Sequence, residues 1–298
     1  MAQKLDVRGV FPPVPTAFDD RGDIAPGRYQ ENIRRLCDAG VHGAVILGSN
    51  GEYVYLNEAE KREIIRAGVE AVPKGKLALA GTGCESTRNT IALTNEAARL
   101  GAHAAMVVSP FYYKPSMDKK TLIKFYTDVA DAADIPVILY SVPKFTGIDI
   151  GVDVVAEVAK HPNIIGIKDS SGNIIQLSEF ISAAPAGWNI LVGTGSALYA
   201  ALTVGVAGGV LALADVAPAQ CVELYNLTRA GDHSAARDLQ LRLLPVNKAV
   251  TGTYGIPGVK AAMDMLGYYG GPPRAPLAPL GPAEKETLRG ILQKAGLL

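Results

Sequence analysis

The chain has 298 residues, and 29 Lys and Arg side chains balance 29 Asp and Glu. That neutrality excludes the basic footprint of a nucleic-acid or anionic-membrane binder, so a small molecule is the expected partner. With 48% of residues apolar the chain can fill a sizeable core, yet no apolar run reaches the roughly 18 residues of a membrane span. Met1 to Arg8 is mixed in charge and lacks the apolar stretch of a secretory signal. The three cysteines, Cys37, Cys84 and Cys221, are odd in number and far apart. They read as free thiols of a reducing compartment, and a cytoplasmic protein is expected.

Short apolar segments recur along the chain. They are Val10–Pro15, Ala44–Leu47, Leu77–Ala80, Ala104–Val108, Val137–Tyr140, Ile164–Lys168, Ile190–Val192 and Gly209–Leu213. None alternates apolar with polar, which is the pattern of parallel strands buried on both faces. Amphipathic stretches lie between them. Ile33, Leu36 and Cys37 share a helical stripe, as do Ile64, Ala67 and Ala71, then Leu122, Phe125, Tyr126 and Val129, then Val154, Val155 and Val158. Asn57 followed by Glu60 predicts a capping box. The unit of strand, loop and helix occurs eight times, the count of a TIM (β/α)8 barrel. A doubly wound open sheet shares the alternation, but no Gly-x-Gly-x-x-Gly follows the first strand. After Leu213 helices are expected over Pro218–Arg229, His233–Val250, Pro257–Leu266 and Ala283–Leu292. The chain is therefore read as a barrel over 1–230 and a C-terminal helical extension over 231–298.

Barrel active sites lie at the C-terminal ends of the strands. Ser49 and Asn50 follow the second strand, and Phe111, Tyr112 and Tyr113 the fourth. Tyr140 ends the fifth, Lys168 the sixth with Ser170 behind it, and Gly193 follows the seventh. Lys168 closes an otherwise apolar strand. Partial burial there favours the neutral amine, the form that attacks a carbonyl, although a strand-end lysine can also reach out to solvent. Tyr140 belongs at the same height on the neighbouring strand, where a phenol could pass protons to a carbinolamine. Gly48-Ser49-Asn50-Gly51-Glu52 is a polar turn able to gather donors around a carboxylate. The glycines at Gly193–Gly195 and Gly208-Gly209 are read as close backbone packing, a phosphate site being the other reading. His42, His103, His161 and His233 are scattered, so no catalytic metal is expected.

Gly48-Ser-Asn-Gly-Glu52, Tyr140-Ser-Val-Pro143 with Thr146-Gly147, and Gly166-Ile-Lys-Asp-Ser170, in this order, resemble the dihydrodipicolinate synthase / N-acetylneuraminate lyase family of class I aldolases. The resemblance runs from Gly9 through the last helix. It implies a Schiff base on Lys168 with a 2-oxo acid such as pyruvate, and no other cofactor. It implies a carboxylate held by Ser49 and Asn50, and a proton shuttle at Tyr140. Tyr112 is implied to reach the neighbouring subunit's site and complete a relay through Ser49, within a homotetramer built as a dimer of dimers. Ser170, Gly193 and Leu211 complete the implied substrate contacts. The synthases of this family carry an arginine two residues after the proline of Tyr-x-x-Pro, and here Phe145 stands there. A phenyl ring makes no bidentate pair with a carboxylate. The sialate lyases show Ser-Thr where this chain has Ser49-Asn50. Gly81-x-Gly-Cys-Glu-Ser86, Met106-Val-Val108 and Tyr268-Tyr-Gly-Gly-Pro272 look most like the 4-hydroxy-2-oxoglutarate aldolases, which release pyruvate and glyoxylate. The other activities kept open are dihydrodipicolinate synthesis from pyruvate and aspartate semialdehyde, and sugar-acid cleavage of the N-acetylneuraminate type. A non-catalytic 2-oxo acid-binding protein is the reading of a different class.

Overall fold

A computed structural model describes residues 5–298. Eight strands alternate with helices: β1 Gly9–Phe11, α1 Pro26–Asp38, β2 Gly43–Ile46, α2 Glu58–Ala71, β3 Leu77–Gly81, α3 Thr87–Arg99, β4 Ala104–Val108, α4 Lys119–Ala132 and β5 Val137–Ser141. A one-turn helix α5 (Pro143–Thr146) follows, then α6 Val152–Val158, β6 Ile164–Asp169, α7 Ile174–Ala183, β7 Asn189–Val192, α8 Leu198–Val204, β8 Gly208–Val210 and α9 Pro218–Ala230. All pairings are parallel, in the order β1-β8-β7-β6-β5-β4-β3-β2. The ring closes between β1 and β2: the His42 amide donates to the Val10 carbonyl at 2.9 Å and the Val14 amide to the Val45 carbonyl at 3.1 Å. This is the (β/α)8 barrel expected from the sequence.

Two apolar layers account for the continuous apolar strands. Phe11, Val45, Leu79, Met106, Ile138 and Leu191 fill the barrel interior. Val10, Ile46, Val107, Leu139 and Val192 face outward onto the helices. Asn57 caps α2 in a full capping box with Glu60, as its spacing predicted.

Three boundaries differ from the sequence reading by three residues or more. The first strand ends at Phe11 rather than Pro15. Pro12, Pro13 and Pro15 have no N–H to continue a ladder. The eighth strand stops at Val210, and Ala212–Asp215 turns into a 3₁₀ helix. The helix expected over His233–Val250 ends as α10 at Asn247, Pro245 lying inside its last turn, and passes into a π-turn over Lys248–Thr253. Helices α11 Gly255–Met265 and α12 Pro282–Lys294 complete the chain.

The extension is tied down over the barrel mouth by two cations. Lys260, 1% exposed, lies 2.8 Å from the buried Glu52 carboxylate. Its ammonium also donates to the carbonyls of Thr16 and Pro272, both at 2.8 Å. Arg274 grips Glu60 with both terminal nitrogens, at 2.6 and 2.8 Å. No helix among the described residues is long and apolar enough to cross a membrane.

Candidate active site

Tyr140 of β5 stands opposite Lys168 of β6, and Ile138 opposite Gly166. Directly paired residues share a face of the sheet. Ile138 and Tyr140 point into the barrel, so Gly166 and Lys168 do as well. Ile165 also packs inside. Two successive inward residues break strict alternation, and the cause is a register shift: Val137 pairs with Ile164, but the next residue, Ile138, pairs with Gly166. Without that bulge, alternation from Ile165 would turn Lys168 outward onto the helices. Asn189 of β7 holds the bulge. Its side-chain amide donates to the Ile165 carbonyl at 2.9 Å, and its oxygen accepts from the Val7 amide at 2.8 Å.

Lys168 is only 4% exposed. Among the described residues its ammonium has neither a hydrogen-bond partner nor a carboxylate within 4.0 Å. It sits 3.8 Å from the centre of the Tyr140 ring. The Tyr140 hydroxyl lies 3.1 Å from the Ser49 hydroxyl. Ser49 opens a single 3₁₀ turn, Ser49–Gly51. Leu47 and Glu52 flank that turn in the left-handed region, at φ 57° and 53°, a conformation that costs non-glycine residues energy and persists only where surroundings impose it. Here the Glu52 carboxylate is fixed by Lys260 and by the Arg274 amide, the latter at 2.8 Å.

In front of Lys168 opens a cavity of about 580 Å³. Ser49, Asn50, Tyr140, Lys168, Ser170 and Gly193 all line it. Among the described residues the Asn50 side-chain nitrogen and the Ser170 hydroxyl have no well-aligned hydrogen-bond partner, although the Asn50 side chain lies beside the Asp215 carboxyl. Unpartnered buried donors are costly unless a ligand or water takes them, so both suit an oxyanion. At Gly193 a Cβ would lie 1.9 Å from the Ser170 hydroxyl and 2.9 Å from Lys168 Cε. Only glycine leaves room there for the lysine stem and the serine together.

Two of the expected residues do not line this chain's own cavity. Leu211 is fully buried and does not line the cavity, whereas its neighbours Val210 and Ala212 do. The Tyr112 side chain is 74% exposed and stacks edge-on against Tyr113, away from its own chain's cavity. The sequence reading missed the opposite wall, made by Lys144, Thr251, Tyr254 and Leu277 among others. Its signals were slight: a proline inside α10 and the Gly255-Ile-Pro-Gly258 run. Among the described residues no cluster of His, Cys, Asp or Glu could hold a metal ion.

Residues 6–295 match the dihydrodipicolinate synthetase family. A 4-hydroxy-tetrahydrodipicolinate synthase of Methanoculleus marisnigri is 39% identical over 97% of this chain and 99% of its own. The dihydrodipicolinate synthase of Thermotoga maritima superposes with a TM-score of 0.93 at 30% identity, covering 99% of this chain and all of that one. YagE, a prophage protein of the dihydrodipicolinic acid synthase family from E. coli K12, solved in complex with pyruvate, gives 0.92 at 31% identity over 98% of this chain and 99% of its own. With its barrel, its buried lysine–tyrosine pair and its match over nearly the whole length, the chain belongs to the dihydrodipicolinate synthetase family and is a carbon–carbon lyase.

Proposed function

We propose that this protein is a class I aldolase that binds pyruvate and 4-hydroxy-2-oxo acids as a Schiff base on Lys168. The substrate we favour is 4-hydroxy-2-oxoglutarate or a close analogue, cleaved to pyruvate and an aldehyde such as glyoxylate. The observation that carries the reading is the buried Lys168 amino group, with no carboxylate within 4.0 Å among the described residues, against Tyr140 and its 3.1 Å contact to Ser49. The lysine amine attacks the 2-oxo carbon. Tyr140 supplies the proton with which the carbinolamine hydroxyl leaves as water. The C4 hydroxyl then gives its proton to the phenolate left on Tyr140, the C3–C4 bond breaks, and its electron pair moves into the iminium to give an enamine and a free aldehyde. Protonation at C3 and hydrolysis release pyruvate and restore the amine. Asn50 and Ser170 offer donors to the substrate's carboxylate and hydroxyl oxygens. Tyr112, exposed in the single chain, is assigned to the neighbouring subunit's site in a cytoplasmic homotetramer.

A second reading is favoured by the names of relatives such as the Methanoculleus marisnigri protein. There the same enamine would attack aspartate semialdehyde in dihydrodipicolinate synthesis. Phe145 speaks against it, because among the described residues no arginine lines the cavity. Two assays separate the readings: pyruvate release from 4-hydroxy-2-oxoglutarate, and condensation of pyruvate with aspartate semialdehyde. Release is expected to be the faster, and faster condensation would overturn the substrate assignment.

A further inference from the structure

Among the described residues the cavity is lined by two lysines, Lys168 and Lys144, and by no acid. Lys144 belongs to α5, directly after the proline that ends the β5 turn. Its ammonium donates to the Thr251 carbonyl of the π-turn at 2.8 Å. An ammonium has three donors, and among the described residues no carboxylate comes within 4.0 Å of this one. The Phe145 ring, 5.6 Å from the ammonium, adds a weak cation–π contact without neutralising it. The 580 Å³ space is also far larger than pyruvate fills.

We infer that Lys144 is a specificity-determining residue whose ammonium binds the distal carboxylate of a dicarboxylic 2-oxo acid held on Lys168. The inference rests on the Schiff-base reading above and deepens it. A carboxylate there would make charge-assisted hydrogen bonds to the donors that Thr251 leaves free. A merely structural lysine, bracing α5 against the π-turn, would instead affect all ligands alike.

The test uses two five-carbon probes that differ at the far end: 2-oxoglutarate, a diacid, and 2-oxopentanoate, a monoacid. Each is incubated with the full chain and borohydride, and the concentration giving half-maximal adduct on Lys168 is read by mass spectrometry. The unsubstituted protein is expected to take 2-oxoglutarate at the lower concentration. Lys144→Met should raise that concentration about three- to tenfold, the range for a charged contact near solvent. It should leave 2-oxopentanoate within about twofold, and Lys144→Arg should restore the preference for the diacid. Equal effects on both probes, no effect on either, or no initial preference would each overturn the inference. Failure of the unsubstituted protein to trap either probe while it traps pyruvate would also overturn the inference, and failure to trap pyruvate as well would sink the Schiff-base reading.

Discussion

Asp215 ends the 3₁₀ turn after β8, fully buried, and among the described residues neither carboxylate oxygen has a well-aligned hydrogen-bond partner. Burial drives its carboxyl well above the ordinary 3.8, and the Asn50 side chain offsets only part of this. Between pH 3.8 and its raised folded-state value the folded protein therefore holds a proton that the unfolded chain has lost. Stability contributed by this group is fully present below that pH and is lost as pH rises through the folded-state value. Asp215→Asn removes the titration. Its unfolding midpoint should exceed the parent's by about 2–4 °C at pH 7, with the gap narrowing toward pH 4. Thermal unfolding at the two pH values checks this, and a gap independent of pH would contradict it. That Lys168, Tyr140, Ser49 and Asn50 line one cavity was legible in the sequence because strand ends locate a barrel's mouth. Asp215 and Lys144 were not, since the burial of the one and the contact of the other with the π-turn are matters of packing rather than of residue type. Leu211 shows the finer limit: position along a strand end was readable, but which neighbour faces the cavity was not.

At the scale of the element, the facing of Lys168 depends on one extra residue in β6. The sequence shows an apolar strand ending in lysine and carries no mark of the bulge, which arises from how Ile164 to Gly166 pair with β5. Gly166 meets the bulge's second requirement, for a Cβ there would lie 2.2 Å from the Asn189 carbonyl oxygen. Asn189, 2% exposed, bonds Ile165, Val7 and Leu5. Asn189→Ala should cost about 2–4 kcal/mol in denaturant unfolding, because it leaves buried backbone groups unsatisfied. The same variant should trap pyruvate more slowly, as the register presenting Lys168 loosens. Unchanged stability would remove Asn189 from this role. Strand order, by contrast, followed directly from the apolar runs, since eight strands buried on both faces leave few other solutions.

Across the whole molecule, barrel and extension build one site. The barrel supplies the lysine, the tyrosine and the polar turn, while residues 250–257 with Leu277 and Ala278 supply the facing wall. The Lys260–Glu52 contact joins the two parts directly behind the Ser49–Gly51 turn. The sequence revealed the helices of the extension but not that they enclose the cavity, because that depends on the break after Asn247 and the π-turn that follows it. Such turns recur at functional sites. The most direct measurement incubates the full chain with pyruvate and borohydride, followed by peptide mapping. A reduced pyruvate adduct confined to Lys168, and absent from Lys168→Arg, is the predicted result. An unmodified Lys168, or an adduct on another lysine that persists in that variant, would contradict it.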